Sequence, residues 1–299
     1  MTEHMFLSGL YFGKCALAAA GQDDHLAAQK VRIHACRRDD GGYAGNEVYP
    51  SHLLYTYSAV QLAILYNQPE LLDADALEAF VWSRLLPSGA YYGNDPSDTD
   101  TRFSYCALAT LALVDKLQPE AINVRQAGEF VLACQNDDGG FGLRPGCESH
   151  AGQTFCCVAA LQLCGLLEKA NHDTLKGFLL RRQQADGGFN GRPEKASDGC
   201  YAWWVLATMA ILGPSVLGAI DKAAAIKALF RLQTPAGGFS PRPDESPDLF
   251  HTHFAIAALG VLGHESVAPM DPCFCVPRTA LQRYRRSLDQ TQATTTDAS

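Results

Sequence analysis

Two kinds of helical pattern alternate along this chain. Segments at 74–85, 124–135, 173–183 and 222–233 place apolar residues at three- and four-residue steps on one side and charged residues on the other, the mark of helices facing solvent. Between them, 54–66, 103–114, 154–167, 201–212 and 254–262 are apolar on nearly every side. A helix apolar all round has to be buried. The stretch 6–20 adds a sixth inner helix, and 26–37 and 277–288 complete six outer ones.

A turn signal separates the two patterns. It recurs as Gly41-Gly42-Tyr43, a weaker Ser88-Gly89-Ala90-Tyr91, Gly139-Gly140-Phe141, Gly187-Gly188-Phe189 and Gly237-Gly238-Phe239, at intervals of 48, 50, 48 and 50 residues. Glycine suits a turn needing positive φ, and the aromatic after it suits a core plug. Six inner and six outer helices from one repeat predict an all-α fold, an α6-α6 toroid. An open solenoid of the same hairpins would need a polar face that the inner helices lack. The expected organisation is one toroid domain over 1–288 and a polar, disordered tail over 289–299.

Eleven residues after the first glycine of each turn, at the mouth of an inner helix, stand His52, Asp100, His150, Asp198 and Asp248. Aspartate there is ordinarily an N-cap, and Asp100 and Asp248 are read that way. Asp198 differs: Cys200 follows two residues on, and His251 stands at the next mouth. Carboxylate, thiolate and imidazole suit zinc, and three protein ligands leave the fourth position open, as a catalytic site requires. Capped helix ends beside a buried thiol would give the same residues. His150, Arg192 and Lys195 fall on the same rim, with Arg144 and Arg242 repeating an Arg-Pro pattern. They are either a seat for an anionic head above an apolar funnel or a solvated loop. Phe155, Tyr201, Trp203 and Trp204 below them either line a lipid cavity or fill the core.

Composition narrows the partners. A net charge of −8 without a Lys/Arg run argues against nucleic acid or an anionic lipid surface. Eleven cysteines, several inside apolar helices and none in CxxC spacing, read as reduced core thiols and so a cytoplasmic setting. No stretch reads as a transmembrane segment. Glu3 before the first apolar stretch and Lys14 within it favour a buried helix over a signal peptide.

In the runs Leu53-Leu54-Tyr55-Thr56, Asp100-Thr101-Arg102-Phe103, Glu148-Ser149-His150-Ala151-Gly152-Gln153, Gly191-Arg192-Pro193-Glu194-Lys195, Cys200-Tyr201-Ala202-Trp203-Trp204 and Phe250-His251-Thr252 the chain resembles protein prenyltransferase β subunits. The likeness is strongest to the Rab geranylgeranyltransferase (type II) kind and covers nearly the whole chain. The resemblance implies zinc held by Asp198, Cys200 and His251, with the acceptor cysteine of a protein substrate in the open position. It implies that His150, Arg192, Lys195 and Tyr201 hold a lipid diphosphate as the allylic carbon–oxygen bond breaks. Farnesyl-specific members place a Trp on the first inner helix where this chain has Ser8, so the small residue implies room for geranylgeranyl diphosphate. Tyr57 departs from this, standing where type II members carry Leu and farnesyl members Tyr. Pro241 replaces a carboxylate that farnesyl members associate with magnesium. The implied partners are a helical-repeat α subunit and a Rab GTPase delivered by an escort protein. Alternatives are a CaaX prenyltransferase β subunit of the farnesyl or type I kind, or a non-enzymatic toroid binding module. Terpene cyclases of the same toroid class need a DxDD run, which does not occur here.

Overall fold

Apolar inner helices can satisfy their burial only by packing on one another, and the order in which they do so decides between a ring and a solenoid. The computed structural model describes residues 3–22 and 30–296. In chain order its helices are α1 (Phe6–Ala19), α2 (Lys30–Ala35), α3 (Leu53–Tyr66), α4 (Ala74–Ser83), α5 (Thr101–Leu113), α6 (Ile122–Leu132), α7 (Ala151–Leu163), α8 (His172–Leu180), α9 (Gly199–Leu212), α10 (Pro214–Leu217), α11 (Lys222–Phe230), α12 (Leu249–Val261) and α13 (Arg278–Thr296). Helix α1 packs on α3, α3 on α5, α5 on α7, α7 on α9, α9 on α12, and α12 back on α1. The ring closes, which makes the fold an α-α toroid. Outer helices α4, α6, α8 and α11 lie against α5, α7, α9 and α12, and α13 lies against α3.

The element boundaries differ from the sequence expectation in a consistent way. Inner helices begin directly after the mouth residue, so that α12 starts at Leu249 rather than 254, because the partly exposed first turn is held by its cap and not by burial. The start expected for the second helix, at 26, lies outside the described residues. Helix α13 continues to Thr296, past 288 where a disordered tail was expected. Its last eight residues contain no Gly or Pro to stop it. Among the described residues no helix is long and apolar enough to cross a membrane.

Each mouth residue is placed by the turn before it. Gly187 has φ 83°, and a Cβ there would stand 2.5 Å from the carbonyl oxygen of Ala224 on the next outer helix, so the position requires glycine twice over. The plugs Tyr43, Tyr91, Phe141 and Phe189 are buried. Thr56, Thr154 and Thr252, on the inner helices, accept the backbone N–H of Tyr43, Phe141 and Phe239. The turn carboxylates Asp138 and Asp186 each accept the N–H of a following glycine, and each also accepts the hydroxyl of Ser149 or Ser197, the residue just before the mouth. The mouth N–H groups of His150 and Asp198 then bond the carbonyls of Phe141 and Phe189 at 3.0 Å. One residue further, Ala151 and Gly199 donate to Gly191 and Pro241 in the loop of the next repeat. Neighbouring repeats are thereby stitched together at the rim.

The opposite end of the ring is closed by the segment 273–275. Its carbonyls accept hydrogen bonds from Tyr105 (to Cys273), Tyr57 and Gln61 (to Phe274) and Tyr11 (to Cys275). These buried polar groups come from α1, α3 and α5, so the plug satisfies donors that the apolar interior leaves without partners.

Candidate functional site

At all five mouths the side chain does what an N-cap does. His52, Asp100, His150, Asp198 and Asp248 accept a backbone N–H from the first turn of α3, α5, α7, α9 and α12. The bland reading of Asp100 and Asp248 is therefore sound, but capping does not exclude a second role. Ring closure sets the mouths of α9 and α12 side by side, and one ligating atom each from Asp198, Cys200 and His251 lies within 4.8 Å of the others. Among the described residues this is the only such group.

The three side chains are coupled. His251 Nε2 stands 3.1 Å from Asp198 Oδ1, and His251 Nδ1 stands 2.6 Å from Asp248 Oδ2. Arg242 donates to Asp198 Oδ2 at 3.3 Å. Burial pushes the Cys200 thiol well above its ordinary value, and the neighbouring Asp198 carboxylate pushes the same way. Burial would lower His251, but its bonds to Asp198 and Asp248 outweigh this and raise it. Burial likewise opposes ionisation of Asp198, yet bonds from His251 and from the thiol and N–H of Cys200 hold its pKa below the usual range. These contacts thus favour an ionised Asp198, a protonated His251 and a neutral Cys200 thiol. A divalent ion would replace the two protons, and the donor set of one S, one N and one O fits zinc.

Beside the trio, His150 Nδ1 accepts the N–H of Gly152, which leaves the ring hydrogen on Nε2, 3.1 Å from the hydroxyl of Tyr201. Burial, then Arg192, lowers the His150 pKa, which favours the neutral ring. Tyr201, its oxygen occupied, keeps its own O–H for an incoming acceptor. Arg192 pairs with Glu148, and Lys195 is exposed on the same loop. All of the rim residues expected from sequence sit at one end of the ring.

Below the rim the structure shows an aromatic belt that sequence reading saw only in part. Tyr57, Tyr105, Phe155, Trp204, Phe254 and Phe12 come from the six inner helices in ring order. Adjacent ring centroids are 5.3 Å apart for Tyr57–Tyr105, Tyr105–Phe155 and Phe155–Trp204, 4.5 Å for Trp204–Phe254 and 5.8 Å for Phe254–Phe12. The signal was available as an aromatic five or six residues after each mouth. Trp203, by contrast, is fully buried core. Ser8 is buried and shares a 3.1 Å hydrogen bond with Ser58 across the α1–α3 contact. Tyr57 hydroxyl meets Tyr105 hydroxyl at 2.8 Å above the 273–275 plug. Arg242 was read only as a repeat of the Arg-Pro pattern, and its pairing with Asp198 was not foreseen.

The chain is similar to known proteins. The family model of the prenyltransferase alpha-alpha toroid domain matches residues 1–276. The chain is 38% identical over 222 residues to the geranylgeranyl transferase type-2 subunit beta of Saccharomyces cerevisiae, covering 71% of this chain and 68% of that one. It is 37% identical over 231 residues to the Candida albicans protein of the same description, covering 71% and 67%. To the protein farnesyltransferase subunit beta of Pisum sativum it is 33% identical over 201 residues, covering 66% and 48%. A solved structure of Candida albicans protein geranylgeranyltransferase-I complexed with GGPP matches with a TM-score of 0.86 over 95% of this chain and 92% of that chain, at 22% identity, a likeness of fold. Family model, relatives and closed helical ring agree that the chain belongs to the prenyltransferase α-α toroid family.

Proposed function

We propose that this chain is the catalytic β subunit of a zinc-dependent protein geranylgeranyltransferase of type II, acting with an α subunit on C-terminal cysteines of Rab GTPases presented by an escort protein in the cytoplasm. The observation that carries the reading is the convergence of Asp198, Cys200 and His251 beside a cationic rim and above an aromatic belt. The names of the type-2 relatives support the choice of lipid and class. Zinc bound by the trio would supply a cation that makes an acceptor thiol a thiolate at neutral pH.

The chain's own residues do the rest. Tyr201 donates its O–H, and Arg192 and Lys195 their positive charge, to diphosphate oxygens on which charge grows as the allylic bond breaks. His150 holds the Tyr201 hydroxyl in place by donating to its oxygen. Trp204 and the belt around it offer apolar surface to the isoprenoid and exclude water from the developing carbocation.

Tyr57 and Tyr105, pinned to the plug, favour the second reading: a shallower pocket and a CaaX prenyltransferase β subunit. Metal analysis tests the common part of both. Purified protein should carry stoichiometric zinc, whereas Cys200→Ala and His251→Ala should lose metal and transfer yet melt near the wild-type temperature, because the helix caps are Asp198 and Asp248. A protein without zinc would fit a non-enzymatic toroid binding module instead.

A further inference from the structure

Asp248 sits at a mouth whose cap leaves one carboxylate oxygen over, and the use of that oxygen sets it apart. At α5 the spare oxygen of Asp100 holds Arg102 at 2.9 Å, and at α9 that of Asp198 holds Arg242. At α12, Asp248 Oδ1 accepts the backbone N–H of His251 at 2.9 Å while Oδ2 takes the ring Nδ1 of the same residue at 2.6 Å. The N-cap carboxylate thus bonds both the backbone N–H and the side chain of the residue at the third helical position. A carboxylate here only accepts, so Nδ1 carries a hydrogen that Asp248 holds. Nε2, 3.1 Å from Asp198 Oδ1, is the nitrogen turned to the trio, and its hydrogen is the one a metal would displace.

We propose that Asp248 is a positioning residue of the metal centre, holding the ring hydrogen of His251 on Nδ1 so that Nε2 is presented as the ligating atom. The inference rests on the metal reading above. Its physical basis is general: a metal-binding imidazole is oriented by the group that its other nitrogen bonds, and loss of that group weakens metal binding without removing a ligand. Two bonds from one carboxylate to one residue fix both the start of α12 and the angle of the ring. Of the five mouths, this is the one whose cap also holds a side chain of the trio by its far nitrogen.

Asp248→Asn separates the two tasks. The amide oxygen can still accept the His251 N–H, but the amide nitrogen is a donor facing Nδ1, which favours the ring hydrogen on Nε2, the nitrogen that has to bind. Asp248→Ser keeps a cap and leaves Nδ1 without its partner. The full chain, its two variants and Cys200→Ala are titrated with zinc against a chromogenic chelator, and their metal-free melting temperatures are recorded in parallel. The expected result is stoichiometric zinc on the wild type, none on Cys200→Ala, and affinity roughly 10- to 100-fold weaker in both Asp248 variants, the metal-free melting temperature of Asp248→Asn staying at the wild-type value. Wild-type zinc affinity in Asp248→Asn would overturn the assignment while leaving the metal site intact. A wild type that takes up no zinc would overturn the metal reading itself, and Asp248 with it.

Discussion

Cys200 is held as a neutral thiol by the same surroundings that would make it a ligand. Burial and the Asp198 carboxylate oppose its ionisation, so only a cation arriving between Asp198 and His251 reverses the balance. The neighbouring cations act on a different charge. Arg192 is more than a third exposed and leans on Glu148, and Lys195 is exposed, so neither contributes appreciably to stability. Both are available to a diphosphate. Arg192→Ala and Lys195→Ala should each weaken lipid diphosphate binding or slow transfer by roughly 10- to 100-fold, the loss of a charge-assisted hydrogen bond worth about 1.5–3 kcal/mol. Zinc content should not change. Steady-state kinetics with parallel metal analysis reads both, and unchanged kinetics in both variants would return this loop to solvent.

At the scale of elements, the hairpin is the unit that was legible in the sequence and the contact between hairpins is what was not. Glycine, aromatic and mouth residue recur at fixed spacing because each turn needs positive φ, a buried plug and a cap, and each of these needs a particular residue type. The meeting of Asp198 and Cys200 with His251 was readable for the same reason, since one repeat period brings the α12 mouth next to the α9 mouth. Hydrophobic periodicity reports only that a position is buried, so it did not show that Tyr105, Phe12 and Phe254 share one belt with Trp204. It also placed the inner helices after α1 too late, because caps such as Asp198 and Asp248 start them several residues ahead of the continuous apolar runs at 201 and 254. The Asp248 and Arg242 contacts were hidden because a charged side chain's partner depends on its rotamer and not on its spacing. Gly187→Ala tests the turn: the residue would need φ 83° and would press its Cβ on the Ala224 carbonyl. It should destabilise the fold by about 1–3 kcal/mol, seen as a lower melting temperature, and since Asp198 is placed by this turn, zinc affinity should fall with it. An unchanged melting temperature would show that the turn relaxes freely.

For the whole molecule, the ring has a polar, metal-competent end and an end closed by the 273–275 plug, and the distance between them limits the lipid. Ser8 and Ser58 keep the α1–α3 wall small, whereas Tyr57 and Tyr105 are tied to the plug. Each CH₂-sized group buried contributes roughly 0.8 kcal/mol, so a pocket that admits a fourth isoprene unit favours the longer donor strongly. In Ser8→Trp the indole would have to displace the Ser58 contact and enter the ring. Such overpacking costs about 1–3 kcal/mol, and donor preference should move towards farnesyl diphosphate in a competition assay. Preference unchanged by that substitution would mean that the plug, and not the α1 wall, sets the length. The most direct test of the account is transfer itself, measured with the chain co-expressed with its α subunit and offered farnesyl and geranylgeranyl diphosphate against Rab and CaaX acceptors. The account predicts zinc-dependent geranylgeranyl transfer to escorted Rab cysteines and little to the CaaX acceptor. Farnesyl diphosphate used as well or better, with transfer to the CaaX acceptor, would contradict it.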